Sequence, residues 1–438
     1  MVFRKNKVIF PCIIIICISV SAKAQEDLTL DQALTTGLEN NFGIRLAKKD
    51  VDIAENNYSR GNAGFLPRVD VTANQNFTIE DTKQEFIENR TQERDGARSQ
   101  RFNAEATLQW TIFDGTGMFI RYDRLAELKK SQDFNLKYTI ESQVSNIVKA
   151  YYSVVLEQER TDVLKDNLLF SKRILDVAKS KYEIGKFSRL DYLTAQVDYN
   201  SDSSNYLAQT ERFKNLKVEL NQLIGRSPGI EYDVMPAIDI DSTLIQHELL
   251  QRMFDHNPLL KQLEAGKAIS SLQLQEIRSQ RYPVINLNTG YTYGSSSAEA
   301  GFLVSRQAFG PTFGISARMN IFDGNNLNRQ QQNAQIEIEK ADISFEEARI
   351  EMEAALRKAF NQYQNSMARI NLEKSNVTVA VEREEIAFER YEIGNSSAIE
   401  VREAQLNRLN AEIRYLNVMF NAKVSETELY RLSSTILN

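Results

Sequence analysis

Apolar and polar positions along the chain follow two periods, and the longest stretches follow the helical one. From Met118 to Ile184 there are 67 consecutive residues with neither glycine nor proline, closing on Tyr182-Glu183-Ile184-Gly185. Apolar positions step by three and four through Leu136, Ile140, Val144, Ile147, Tyr151 and Val154. This is the seam of a helix packed along its length on other helices. At 1.5 Å per residue, such an element is roughly 100 Å long. A second run, Asn325 to Ile393, has the same character and ends Tyr391-Glu392-Ile393-Gly394. After Gly185 a further run from Ser188 to Ile224 returns, with Leu190, Leu193, Val197 and Leu207 as its expected inward positions. The final helix, Ser396 to about Leu432, returns in the same way after Gly394. A rod, a one-glycine turn and a returning helix predict an antiparallel coiled-coil hairpin, twice over.

Elsewhere the period is two. After Pro67 the odd positions read Val69, Val71, Ala73, Gln75, Phe77 and Ile79, and the even ones are polar. A charged stretch from Glu80 to Arg101 has no periodicity and reads as an exposed loop. Alternation then resumes with Phe102, Ala104, Ala106, Leu108, Trp110 and Ile112 on one face. The second half of the chain has the same plan. Ile285, Leu287, Tyr291 and Tyr293 alternate with polar residues, a Ser/Ala/Gly loop follows from Gly294 to Gly310, and Phe313, Ile315, Ala317, Met319 and Ile321 resume the pattern. Four strands of about ten residues, each with one apolar and one polar face, match strands of an outer-membrane barrel. Trp110, Tyr291 and Tyr293 are candidate interfacial aromatics. Two amphipathic hairpins covering a soluble core would show the same alternation, but no other strand or covering helix is available to pack on them.

The two halves are copies. Ile112-Phe113-Asp114-Gly115 recurs 209 residues later as Ile321-Phe322-Asp323-Gly324, and Ala195-Gln196 as Ala404-Gln405. Earlier in each half the offset is 216, linking Asn41 to Asn257 and Pro67 to Pro283. The expected division is a first repeat over 25–224, with helices, a β-hairpin at 68–113 and a helical hairpin at 116–224. A linker at 225–245 leads to a second repeat over 246–438, with its β-hairpin at 284–322 and helical hairpin at 325–433. Shorter helices are expected at Leu28–Asn40, Phe42–Arg60, Leu244–Asp255 and Pro258–Arg281. Gly225 to Thr243 is expected to be irregular.

Composition adds the compartment. Residues 1–24 carry Arg4, Lys5 and Lys7, an apolar core from Val8 to Val20 and Ala22-Lys23-Ala24, the layout of a secretory signal peptide. Both cysteines, Cys12 and Cys17, fall inside it, so the mature chain is expected to hold no disulfide and no cysteine-bound metal. Losing the segment's four positive charges takes the net charge from −6 to −10. An acidic exported chain is a poor match for nucleic acid. No later segment is apolar enough for a membrane helix, so any crossing must use strands.

Catalytic motifs are missing. His247-Glu248 is followed by Gln251 where a zinc-protease helix needs its second histidine, so His247 and His256 are read as structural or solvated. No P-loop, dinucleotide fingerprint or nucleophile elbow is present. Asp114-Gly115 and Asp323-Gly324 sit at strand-to-helix junctions, where Asp serves as an N-cap. No enzyme activity, cofactor or metal is expected.

Taken together, the duplicated halves, the strand pairs opening at Pro67 and Pro283, the Ile-Phe-Asp-Gly junctions and the Tyr-Glu-Ile-Gly turns followed by Asp191 or Glu400 resemble the TolC-type outer-membrane efflux proteins over essentially the whole mature chain. The resemblance implies a mainly α fold with a small β part. In it, long coiled-coil hairpins form an α-barrel, and four transmembrane β-strands per chain complete a 12-stranded β-barrel in a homotrimer set in outer-membrane lipid. Four strands alone leave two open edges in lipid, so oligomers are required; residue patterns alone allow two, three or four chains. The implied function is the passive exit duct of a tripartite efflux or type I secretion system in a Gram-negative outer membrane. The implied partners are a periplasmic adaptor and an inner-membrane pump of the RND or ABC type. A periplasmic adaptor with its own coiled-coil hairpin is the alternative, although adaptors carry one hairpin and additional small modules.

The resemblance also assigns sites. Ile184-Gly185 and Ile393-Gly394 correspond to the adaptor-docking turns. Glu400 and Glu403 fit the acidic constriction at the periplasmic entrance, with Asp191 as the first-half counterpart. The chain departs from the family pattern in having glutamates for aspartates, Thr194 at the second first-half position, and Ser396 and Ser397 where some members carry a basic residue. A solvated helix face is the competing reading of Glu400 and Glu403.

Overall fold

The structure is a computed structural model that describes residues 26–87, 90–235 and 237–437. The expected signal segment 1–24 lies outside the described residues. In chain order the elements are β1 (Glu26–Leu28), α1 (Leu30–Asn40), α2 (Phe42–Asn57), α3 (Arg60–Ala63), β2 (Arg68–Glu85), β3 (Thr91–Phe113), α4 (Gly117–Glu183), α5 (Arg189–Leu223) and β4 (Tyr232–Val234). They continue with α6 (Gln246–His256), α7 (Pro258–Ser279), β5 (Val284–Ala298), β6 (Ser305–Arg318), α8 (Asn326–Ile393) and α9 (Ala398–Leu432). The fold is mainly helical with a small sheet part.

The rods α4 and α8 run for 67 and 68 residues. At the middle of α4 the predicted seam is the core: Val144, Ile147, Tyr151 and Val154 are buried against α1, the end of α5 and the residues around β4. Fully burying side chains of this size contributes about 1.5–3 kcal/mol each. The middle of α8 is held in the same way by Leu249 and Met253 of α6, Leu260 of α7 and Leu429 and Leu432 of α9. Two buried asparagines fasten these collars. Asn41 Oδ1 accepts from Ile44 N at 3.1 Å, capping α2, while its Nδ2 donates to Leu223 O at 2.7 Å, at the end of α5. Asn257 caps α7 through Leu259 N at 3.0 Å and donates to Leu432 O at 3.0 Å, at the end of α9. One amide thus satisfies a free helix N-terminus and a free C-terminal carbonyl together. The collars are tied across the two halves by Glu428 of α9, which lies 2.7 Å from Lys149 of α4. Burial alone would raise that carboxyl, but hydrogen bonds and charge from Arg431 and Lys149 outweigh it and hold it at about 2. The contribution is present above the ordinary carboxylate range and is lost as pH falls toward 2.

Three expectations about the helical part change. The linker between the halves contains a strand: Glu26 to Leu28 pairs in parallel with Tyr232 to Val234, and both Leu28 and Tyr232 are fully buried. On α5, Leu190, Leu193, Val197 and Leu207 are not inward but 42–72% exposed. The side of α5 turned to the rest of the chain uses Ala195, Asp202, Lys217, Leu220 and Asn221 instead, a small residue and paired polar groups near the tip and Leu220 at the collar. The junction aspartates act one step further back than a simple N-cap. Thr116 and Asn325 hold the cap positions in left-handed conformation, and Asp114 and Asp323 accept from Met118 N at 3.0 Å and Leu327 N at 2.8 Å.

The four long strands form one antiparallel sheet in the order β2-β3-β5-β6. Its register aligns the predicted apolar positions across the whole width. Val69 stands opposite Leu108, Leu108 opposite Thr289 and Thr289 opposite Phe313; the next rows on this face are Val71–Ala106–Tyr291–Pro311 and Ala73–Ala104–Tyr293–Phe309. The reverse face carries Asp70–Thr107–Gly290–Thr312 and similar polar rows. Trp110 closes the apolar face at its rod end, with Nε1 donating to Phe65 O at 2.8 Å. Among the described residues no helix is long and apolar enough to cross a membrane.

Both supposed loops are largely strand. Strand β2 continues to Glu85 and β3 starts at Thr91, while β5 runs to Ala298 and β6 starts at Ser305. At the rod end, β6 stops at Arg318, short of Met319 and Ile321. Alternation vanishes beyond Ile79 because both faces of a strand meet water once it leaves an apolar slab, so period two marks depth in the membrane rather than strand length.

This register predicts that Leu108→Arg lowers the yield of membrane-assembled protein far more than Thr107→Arg. The first places a guanidinium on the apolar face, at about 2–4 kcal/mol near mid-bilayer, and the second places it on the polar face. Equal membrane yields of the two variants would remove the assignment of faces.

Candidate functional site at the helical tips

Each rod reverses through one glycine. At the first tip Gly185 has φ +74°, Gly185 N donates to Tyr182 O at 3.0 Å and Lys186 N to Lys181 O at 2.8 Å. At the second, Gly394 has φ +85°, with Gly394 N on Tyr391 O at 3.0 Å and Asn395 N on Arg390 O at 2.8 Å. This pair of bonds is the Schellman motif, whose left-handed residue is best served by glycine. A Cβ placed on either glycine meets nothing within 4 Å. Ile184 and Ile393, beside them, are exposed. The tips therefore present an apolar side chain next to open backbone.

The two tips lie side by side. Phe170, Ile174, Ala178 and Ala195 of the first hairpin pack with Phe388, Tyr391 and Val401 of the second. The Phe187 ring stands 5.5 Å from that of Tyr391. Tyr391 is fully buried and its hydroxyl has no partner among the described residues; burial, with the charge of Asp191, pushes it up to about 12.

The three predicted acids all sit at the starts of returning helices, where carboxylates also favour the helix dipole. Asp191 closes a capping box, its Oδ2 accepting from Ser188 N at 3.0 Å and Ser188 Oγ at 2.8 Å. Glu400 accepts from the Ser396 hydroxyl, and its amide donates to Ser397 Oγ at 3.3 Å. Glu403 is paired with Arg383 of α8 at 2.9 Å, both side chains more than half exposed. An exposed pair of this kind contributes at most about 1 kcal/mol. The start of α9 is flanked by two open grooves. One, of about 410 Å³, lies along α5 and is lined by Asp198, Ile399, Arg402 and Glu403. The other, of about 500 Å³, is lined by Arg383, Ile386, Arg390 and Glu400. Glu400 and Glu403 thus line different grooves.

Sequence reasoning missed the polar cluster that joins the two hairpins just above the tips. Arg402 of α9 grips Asp202 of α5 with two bonds, Nη1–Oδ2 at 2.6 Å and Nη2–Oδ1 at 3.1 Å. Gln405 Nε2 donates to Ser171 Oγ at 2.6 Å and Asn167 Oδ1 at 2.9 Å on α4, and Ser171 donates in turn to Asp202. The Asp202 side chain is 3% exposed and Gln405 is 1% exposed. Burial alone would lower the pKa of Arg402, but hydrogen bonds and charge from Asp202, with Asp198 nearby, raise it. The available signal was Asn167 and Ser171, polar residues at the helical spacing that leads into the apolar Ile174 and Ala178. No group of histidine, cysteine, aspartate and glutamate able to hold a metal occurs among the described residues, and His247 and His256 are exposed.

A sheet apolar on one face over its full width, continued by helical rods roughly 100 Å long, defines an outer-membrane channel protein with a periplasmic extension. Comparison with known proteins gives the family. The model of the outer membrane efflux protein family matches residues 33–226 and 249–435, and the chain belongs to that family. It is 23% identical over 423 residues to the cobalt-zinc-cadmium resistance protein CzcC of Cupriavidus metallidurans, covering 94% of this chain and 91% of that protein. It is 20% identical over 449 residues to the outer membrane protein TolC of Escherichia coli, covering 98% and 87%. Among solved structures, the CmeC outer membrane channel of Campylobacter jejuni matches with a TM-score of 0.75 at 19% identity, over 93% of this chain and 85% of that one. The OprN outer-membrane channel matches with a TM-score of 0.75 at 17% identity, over 93% and 90%. The protein is an outer-membrane efflux or secretion channel of a Gram-negative bacterium that extends into the periplasm.

The buried cluster gives a prediction. Asp202→Ala leaves Arg402 wedged between the hairpins without its carboxylate, a loss of roughly 3 kcal/mol. Limited trypsin digestion of the detergent-extracted protein should then cut the tips faster, and Asp202→Leu with Arg402→Leu should regain most of the resistance. Wild-type resistance in the single variant would show that the cluster does not hold the hairpins together.

Proposed function

We propose that three copies of this chain close their sheets into one twelve-stranded barrel and align their rods as a continuous duct. A periplasmic adaptor and an inner-membrane pump deliver cargo into that duct. The observation that carries this reading is the sheet itself. Strands β2 and β6 are its edges, and in hydrocarbon every unpaired backbone group costs several kcal/mol, so only closure with neighbouring copies is tolerable. Two copies would give eight strands, a barrel just filled by its own side chains, whereas three leave an open lumen. The rods support the same closure. Ile336, Ile343 and Ile350, then Leu372, Val379, Ile386 and Ile393, are 51–72% exposed on α8. Within most of these steps the spacing is seven, a coiled-coil seam without a partner in its own chain. The exposed leucine stripe of α5 is a second such surface. In this reading residues 25–224 and 246–438 are the two copies of a duplicated unit joined by 225–245.

Ile184-Gly185 and Ile393-Gly394 serve as the adaptor-docking turns, and Asp191, Glu400 and Glu403 ring the periplasmic entrance. The exposed isoleucines and the free space over each glycine support the first role. The position of all three acids beside the tips supports the second, since a focused negative field at a narrow opening favours cations.

Gly394→Trp tests docking. A residue forced into the left-handed region costs about 1–2 kcal/mol, too little to dismantle the assembly. Folded protein should reach the outer membrane while export stops; export that survives the bulky residue would contradict the docking role. For the entrance, Glu400→Gln with Glu403→Gln should lower cation selectivity in planar bilayers with little effect on packing. Unchanged selectivity in a folded variant would return both residues to a solvated surface.

A further inference from the structure

The polar face of the sheet carries a pair of arginines that the duct reading does not use. Asn76 stands opposite Arg101, Arg101 opposite Ser296, and Ser296 opposite Arg306. Directly opposed residues of antiparallel strands project to the same face, so Arg101 of β3 and Arg306 of β6 share one row. The adjoining rows of this face, Asn74–Asn103–Gly294–Ala308 and Thr78–Ser99–Ala298, carry no charge. On the reverse face this level is flanked by Gln75–Phe102–Ser295–Gln307 and Phe77–Gln100–Ser297–Ser305, where the apolar band gives way to polar residues. The row therefore lies at the end of the membrane band remote from the rods. Two other arginines of the sheet are paired, Arg68 with Asp70 at 2.8 Å and Arg94 with Glu299 at 3.2 Å; Arg98 stands on the opposite face and Arg318 at the rod end. Among the described residues, no ion pair or hydrogen bond is made by the side chain of Arg101 or Arg306.

We infer that this row is a binding site for multivalent anions, of the oligophosphate or polycarboxylate class, inside the outer mouth of the duct. The inference rests on the closure proposed above, with the polar face inward. In a closed assembly β3 and β6 are the second and fourth of every four strands, so an arginine recurs on each second strand around the lumen. Strands about 4.8 Å apart and tilted by about 40° set Arg101 and Arg306 roughly 6 Å apart in height. Three chains then present two stacked sets of three guanidiniums. Each guanidinium offers a fork of parallel donors to a phosphate or carboxylate, and an anion with several such groups can span two or more forks. The nearest carboxylates on this face, Glu80 and Glu105, stand two rows away on either side, so at the row itself a water-filled passage with low-dielectric walls concentrates a field that attracts anions and repels cations. The mouth is thus opposite in preference to the acidic entrance at the tips.

The test uses the full-length protein in planar bilayers of zwitterionic lipid, with sodium triphosphate added on the side of the strand hairpins. Wild-type conductance should be blocked in a concentration-dependent way. Arg101→Gln with Arg306→Gln should weaken the block by about tenfold or more, and Arg101→Lys with Arg306→Lys should retain most of it. Arg98→Gln, on the opposite face by register with Ile79, should leave the block unchanged. Conducting wild-type channels that triphosphate does not block, or equal block in the double Gln variant, would overturn the site while leaving the duct intact. Block lost in Arg98→Gln alone would overturn the inward placement of the row. Protein that inserts but never conducts would instead remove the duct reading on which the site depends.

Discussion

The backbone hydrogen bonds of a four-stranded sheet constrain everything else in this chain. Within the sheet each strand satisfies its neighbours, but the outer sides of β2 and β6 have no partner of their own. Water would satisfy them; hydrocarbon does not. An apolar face running across all four strands, from Val69 through Leu108 and Thr289 to Phe313, commits the sheet to hydrocarbon. Lipid on one face and unpaired edges on both sides are the reason closure with other copies is proposed. The rods α4 and α8 are the next elements in the chain after β3 and β6, so the placing of the strands bears on the placing of the rods.

From that end of the molecule to the other, the means of holding together changes. Around the collars, aliphatic and aromatic side chains from short elements pack on the middle of each rod, and two capping asparagines clasp the ends of the returning helices. Near the tips, a buried polar cluster of Arg402, Asp202 and Gln405 joins the hairpins beside an apolar cluster that includes Phe170, Phe388 and Tyr391. Buried polar clusters of this sort add geometric specificity, and they weaken sharply when one member is lost. The tips therefore add a directional polar lock to the apolar burial that they share with the collars.

Much of this was legible in the residue pattern, for identifiable reasons. Absence of glycine and proline over 67 residues leaves a helix little reason to break, and lipid on one face imprints strict alternation on a strand. The turns were legible because a left-handed position after a long helix selects glycine. What was lost has equally physical causes. Strand continuation past Ile79 and Gly294 carries no alternation where both faces are wet. The buried side of α5 was misassigned because Leu190, Leu193, Val197 and Leu207 face away from the rest of the chain. Strands β1 and β4 are three residues each, too short for any period. The partners of Asp202 and Glu403 come from other helices, and spacing along one helix says nothing about them.

Counting the chains in the intact membrane-extracted complex tests the central claim most directly. Unheated protein in mild detergent, weighed by native mass spectrometry, should contain three chains, with its sheet and helices retained. Folded single chains, stable in detergent with both sheet edges unpaired, would contradict closure between copies, and with it the account of the duct.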